Sequence, residues 1–206
     1  MKGIIFDMDG VIVDSEPLHF KLEKEILEEF GGAIDRKEHE SFVGTTDYKM
    51  WGIFKERFNL EPSIEELVEL KKKRFQQNID KIQLMDNILD FIKFLQYKGY
   101  ILALASSNNK KTVDLIVDNF KLDKYFKVII SGEEVLNGKP DPEIFLKAAS
   151  AMNLKPEDCL VIEDATNGII AAKAAGMKCI AIRNKNSGNQ DLSKADTIID
   201  NFKELF

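Results

Sequence analysis

The stretch "IIFDMDGVIVDSEPLHF" (residues 4–20) opens with an apolar run and delivers it onto two aspartates, Asp7 and Asp9. So short a run, stopping ahead of Gly10, reads as a strand buried on both faces, as in a parallel sheet. A carboxylate at the end of a buried strand is costly to desolvate unless something pairs with it or uses it. Two carboxylates this close also resist ionising together without a cation. The pair asks for a metal, a partner amine, or a plain turn into the glycine.

Five further apolar runs repeat the pattern: "YILALASS", "KVIIS", "CLVIED", "KCIAI" and "DTIID". Helical patterns lie between the later ones, which makes a βαβ series and predicts an α/β fold, a Rossmann-like parallel sheet with helices on both faces. One helix is expected from Asp86 as N-cap through Ile88, Leu89, Ile92 and Leu95 to Gly99; a second carries Val113, Ile116, Val117 and Phe120. In "DPEIF", Asp141 is expected to cap and Pro142 to take the first helical position. A fourth helix spans 167–175 and stops at Gly176.

Residues 14–83 break the alternation. Leu18, Leu22, Ile26 and Phe30 recur at helical spacing, and Ser63 with Glu66 forms a capping box ahead of Ile64, Leu67, Val68 and Phe75. No convincing strand appears there. We read this block as an all-helical cap inserted into a core of residues 1–13 and 84–206, with short hinges near 13–16 and 82–86.

Composition narrows the setting. A net charge of −6 over 206 residues argues against wholesale nucleic-acid binding, and no apolar stretch is long enough to span a membrane. The N-terminus lacks the pattern of a signal peptide, so a cytoplasmic protein is expected, and a monomer is expected because nothing in the sequence demands more. Cys159 and Cys179 sit in strand-like runs and read as buried, reduced thiols.

Ligands of open parallel sheets lie outside the carboxyl ends of the strands. Four runs stop there in polar groups: Asp7 and Asp9; Ser106, Ser107 and Asn108; Lys139 in a following loop; Glu163 and Asp164. The carboxylates suit a hard cation such as Mg²⁺. The Ser106 hydroxyl and the amides of the turn after it suit a phosphate, and Lys139 suits both phosphate and carboxylates as a point charge. A carboxylate held near a bound phosphate can attack phosphorus, with Asp9 as acid and then base.

These residues also form a recognisable series. "FDMDGVIVDSEP", "LALASSN", "NGKPDPEIF" and "VIEDATNGI" resemble, in order, the four motifs of the haloacid dehalogenase-like superfamily, with the helical block where that family carries a small cap. The resemblance implies Asp7 as nucleophile and Asp9 as general acid/base, with Ser106 and Lys139 on the phosphate. It implies Mg²⁺ on the Asp7 carboxylate, the Asp9 carbonyl and Asp164, with Glu163 close by. Asp9 favours phosphoryl transfer, because the dehalogenases lack an acid there. The branch it looks closest to holds sugar-phosphate phosphatases, phosphoglycolate phosphatases and β-phosphoglucomutases. His19 matches a cap histidine of the mutases and becomes a candidate substrate contact. Those mutases carry a phosphate-gripping arginine where "VGTTDYK" stands here; Asp47, after Gly44, Thr45 and Thr46, would repel a phosphate. The expected substrate is a small phosphomonoester, with hydrolysis ahead of mutase activity and of a non-catalytic sugar-phosphate sensor.

Plainer readings cover the rest. Lysines and arginine 71–74 are expected to line a solvated helix face. Trp51, Phe54 and Phe58 are expected to fill the cap, and Asp14 and Ser15 to serve the hinge or an N-cap.

Overall fold

The computed structural model describes every residue except Met1 and Gly44, so the segment before Asp47 is described without its glycine. In chain order the elements are β1 (Gly3–Phe6), β2 (Val13–Asp14), α1 (Glu16–Glu29), α2 (Arg36–Glu40), α3 (Asp47–Phe58), α4 (Ile64–Gln77), β3 (Gln83–Leu84), α5 (Ile88–Tyr97), β4 (Ile101–Ala105), α6 (Lys110–Phe120), β5 (Val128–Ile130), α7 (Glu143–Ala151), β6 (Cys159–Glu163), α8 (Thr166–Ala174), β7 (Lys178–Ile182) and β8 (Thr197–Ile199). Among the described residues no helix is long and apolar enough to cross a membrane.

The six apolar runs form one parallel sheet in the order β5-β4-β1-β6-β7-β8. β1 lies in its interior, hydrogen-bonded to β4 on one side and β6 on the other, and all four of its residues are buried. Its pleat divides the core. Ile4 and Phe6 point into one apolar layer with Leu104, Ile162 and helices α5 and α6, while Ile5 points into the other with Val161, Phe145 and helices α7 and α8. The chain works outward from β1 to β5, then crosses back to β6 on the far side. That reversal puts a crevice at the carboxyl end of β1.

Helices α1 to α4 enclose a small core of their own, built on Trp51, Phe54, Ile26, Leu27 and Leu67, with Phe58 packed at its edge. It is not isolated from the sheet. Leu18 and Leu22 of α1, with Phe75 of α4 and Ile79 just beyond it, join the layer that holds Phe6. The capping box at the start of α4 is formed in both directions: Glu66 N–H donates to Ser63 Oγ across 3.1 Å, and Ser63 N–H to Glu66 Oε2 across 2.7 Å. Both cysteines are buried free thiols.

Three details depart from the expectations. β2 and β3 pair antiparallel where the chain leaves and rejoins the sheet, Val13 against Leu84 and Asp14 against Gln83. Two residues are too few to show a period. Helix α5 is entered through Asn87 in the left-handed region, φ 64°, so that Asp86 lies outside it. Pro142 occupies the N-cap of α7, and Asp141 contributes from one residue earlier, accepting from Glu143 N–H at 3.0 Å.

Candidate active site

Asp7 continues the ladder of β1, its N–H donating to Ile162 O at 2.9 Å, and the chain then turns sharply, with Gly10 N–H donating to Val13 O at 2.7 Å. The turn needs Gly10 twice over. Its φ of +77° is left-handed, and a Cβ there would stand 1.8 Å from Asp164 Oδ2. The loop after β6 therefore presses directly on the loop after β1. Between them opens a cavity of about 370 Å³, lined among others by Asp7, Asp9, Ser107, Lys139, Glu163 and Asp164.

Three buried carboxylates meet in its floor. Ligand oxygens of Asp7, Glu163 and Asp164 all lie within 4.8 Å of one another. Burial pushes the Asp7 carboxyl up to about 7 against the pull of Lys139, and Asp164 is raised well above the ordinary carboxylate range by burial and by its neighbours Glu163 and Asp7. Lys139 lies among them. Its Nζ donates to Asp7 Oδ1, to Glu163 Oε1 at 2.8 Å and to Ala105 O at 3.4 Å. Desolvation favours the neutral amine, yet Asp7 and Glu163 hold Lys139 above the usual lysine range. One ammonium against three acids leaves an excess of negative charge that a hard divalent cation suits. The donor set, all oxygen and all buried, fits Mg²⁺.

Glu163 is the most committed of the three. Its Oε2 accepts from Asp164 N–H at 2.8 Å and Ala165 N–H at 2.9 Å, while Oε1 takes Lys139. Gly168 makes the room, since a Cβ there would lie 1.6 Å from Oε1.

Asp9 is gripped from two sides. Ser15 Oγ donates to Oδ1 across 2.5 Å, and Asn108 Nδ2 to Oδ2 across 2.6 Å. Burial raises its pKa despite these bonds, which shifts the group toward the proton-bearing form. Ser15 is the N-cap residue of α1 but its side chain caps nothing, being turned to Asp9 instead. Ser106 is fully buried behind the cavity wall, its Oγ accepting from Asn108 N–H at 3.1 Å, while Ser107 lines the cavity itself. Gly132 lets this loop pass, as a Cβ there would meet Ser107 O at 2.3 Å.

His19 is not among these groups. It lines an adjoining cavity of about 210 Å³ among the helices, with Glu16, Glu23, His39, Asp47 and Lys71. Its ring stacks on Phe75 at 4.3 Å, its Nδ1 is buried without a partner, and burial with Lys71 nearby pushes its pKa down to about 3. The two cavities share Glu16, Val43 and Thr45. Lys71 departs from the expected solvated face: only 6% exposed, it pairs with Glu23 at 2.6 Å and Asp47 at 2.5 Å. Against its burial, His39 and Lys71 hold Glu23 down to about 2. Ser187, Asn184 and Gln190, on the loop after β7, also line the first cavity, and Ser187 Oγ donates to Asp164 Oδ2. The position of that loop, at the same carboxyl edge, is the signal that could have found them.

A profile of haloacid dehalogenase-like hydrolases matches residues 4–182. The chain is 34% identical over 184 residues to the "phosphorylated carbohydrates phosphatase" of Thermotoga maritima, covering 87% of this chain and 84% of that one. It is 30% identical over 213 residues to the β-phosphoglucomutase of Bacillus subtilis, covering 100% and 92%. The crystal structure of CbbY from Rhodobacter sphaeroides in complex with phosphate superposes with a TM-score of 0.86 at 28% identity, covering 100% of this chain and 96% of the other. With the strand-end carboxylates and Lys139 gathered at one sheet edge, and with these likenesses over nearly its whole length, the chain belongs to the haloacid dehalogenase-like hydrolase family.

Proposed function

We propose that the protein is an Mg²⁺-dependent phosphomonoester hydrolase acting on a small phosphorylated metabolite, a sugar phosphate, through an aspartyl-phosphate on Asp7. The observation that carries this reading is the division of labour between two aspartates two residues apart: Asp7 faces Lys139 in the cavity floor, and Asp9 is held by Ser15 and Asn108 with its pKa raised. The similarity to a phosphatase of phosphorylated carbohydrates supports the substrate class.

Asp7 attacks phosphorus, the bond from phosphorus to the leaving oxygen breaks, and Asp9 gives that oxygen its proton. Asp9, now a carboxylate, takes a proton from the water that attacks the phosphoaspartate, and the bond to Asp7 breaks. Lys139 balances the charge on Asp7 and on the transferring group, and Ser107 with the amides after Ser106 orients the phosphate oxygens. The carboxylates of Asp7 and Asp164 and the Asp9 carbonyl would hold Mg²⁺, with Glu163 alongside, and the bound ion would supply neutralisation of charge on the phosphoryl oxygens. Residues 14–83 serve as a cap over the core of 1–13 and 84–206, excluding bulk water when closed.

A second reading, phosphohexomutase, has in its favour the likeness to β-phosphoglucomutase and the second cavity. A mutase must hold a second phosphate there. The buried cation available, Lys71, is already committed to Glu23 and Asp47, and this favours hydrolysis. The deciding experiment measures phosphate release from a panel of phosphorylated metabolites, with Mg²⁺ and with chelator, alongside formation of glucose 6-phosphate from β-glucose 1-phosphate. Metal-dependent free phosphate is expected. Isomerisation with little free phosphate would establish the mutase instead.

A further inference from the structure

The loop after β7 touches the carboxylate cluster and the helical block at alternate residues. Facing the cluster, Ser187 Oγ donates to Asp164 Oδ2, with both residues buried. Among the described residues no other side chain hydrogen-bonds to the Asp164 carboxylate, so Ser187 sets its rotation. A Cβ on Gly10 would also lie 3.0 Å from Ser187 Oγ, which shows how closely the three residues pack. The loop is braced from within: Asn186 N–H donates to Asn184 Oδ1 at 2.9 Å, and Gln190 Nε2 to Ser187 O at 2.9 Å.

Facing the helices, Asn186 Oδ1 accepts from Arg36 Nη2 of α2 at 2.6 Å, and Asn186 Nδ2 donates to Asp14 Oδ2 of β2 at 2.7 Å. Gly188, at φ +68°, runs so close that a Cβ would stand 2.9 Å from Glu40 O and 3.1 Å from Val43 Cβ. A shift of the helical block therefore bears on residues 186 and 188, and Ser187 lies between them.

We propose that this loop is a strut through which the position of the helical block sets Asp164 for the cation, with Ser187 as the positioning residue. It rests on the reading of Asp164 as an Mg²⁺ ligand. Partners of a metal-binding carboxylate typically carry 10- to 100-fold in affinity. Coupling of this kind is reciprocal, so cation binding in turn biases the helical block.

The test is calorimetric titration of Mg²⁺ into the full chain and into Ser187→Ala, Ser187→Thr and Asn186→Ala, with melting temperatures taken without metal. Ser187→Ala is expected to weaken Mg²⁺ binding about 10-fold. Ser187→Thr, which keeps the hydroxyl, restores most of it, and Asn186→Ala produces a smaller loss with little change in melting. Unchanged affinity in Ser187→Ala, or a Thr variant as weak as the Ala one, overturns the role of Ser187. Unchanged affinity in Asn186→Ala overturns the link to the helices, and that variant keeps the question open to test if Ser187→Ala does not fold. No Mg²⁺ binding by the unsubstituted chain would overturn the cation reading itself and this inference with it.

Discussion

Ser15 Oγ lies 2.5 Å from Asp9 Oδ1, so the N-cap residue of the first helix of the block holds the carboxyl assigned to proton transfer. Removing the hydroxyl leaves Asp9 with Asn108 alone. Ser15→Ala is expected to lower kcat by roughly tenfold, short of the ~10²- to 10⁴-fold loss expected for Asp9→Asn, which cannot donate or accept the proton. Steady-state phosphate release checks both. Full activity in Asp9→Asn would contradict the mechanism.

Gly10→Ala combines a left-handed φ with a Cβ 1.8 Å from Asp164 Oδ2. Neither loop can yield without moving a carboxylate of the cluster. The variant should lose about 1–3 kcal/mol of stability to backbone strain and bind Mg²⁺ poorly, as read by denaturant titration and calorimetry.

The Lys71 ion pair with Glu23 is almost closed to solvent, the side chains being 7% and 3% exposed. Lys71→Met leaves Glu23 with His39 alone and Asp47 without its buried partner, and should cost about 3–5 kcal/mol, whereas Lys71→Met combined with Glu23→Gln should recover a large part of it. A double variant no more stable than the single one would show that the pair is not the source of the loss.

His19 gives a pH signature. Its folded pKa of about 3 lies below the ordinary value of 6.5, so between those values the unfolded chain binds more protons. The stability conferred by the neutral, stacked ring is complete above about pH 6.5 and is lost as pH falls toward 3. Against His19→Phe, which keeps a ring on Phe75, the unsubstituted chain should lose relative stability by up to ~1.4 kcal/mol per pH unit in that window. A flat difference between the two chains from pH 6.5 to 4 would mean that His19 titrates normally.

Much of this was legible in the sequence because a parallel strand buried on both faces announces itself as an apolar run, and its end as the first polar residue. Asp7, Lys139, Glu163 and Asp164 meet in one cavity for that reason. Residues that act through long-range packing left no such trace. Ser15 reads as a hinge or cap residue and Ser187 belongs to no motif, since their partners lie 6 and 23 positions away. Lys71, within a basic run, gave no sign of being buried, because Glu23 and Asp47, which make its burial tolerable, reach it from other helices. Asn87 displaced Asp86 at the head of α5 because a left-handed turn, invisible to helical spacing, precedes the first helical residue.

The antiparallel rungs of Val13 with Leu84 and Asp14 with Gln83 bring the two ends of the helical block side by side. A chain that departs and returns through neighbouring positions can lengthen, shorten or exchange the segment between them without altering any hydrogen bond of the six-stranded sheet. The strand-end carboxylates and Lys139 are all encoded outside that segment. The segment can therefore change at a different rate from the carboxylates, with Ser15, the residues facing Asn186 and Gly188, and the apolar contacts of Leu18, Leu22, Phe75 and Ile79 as positions obliged to answer to both parts.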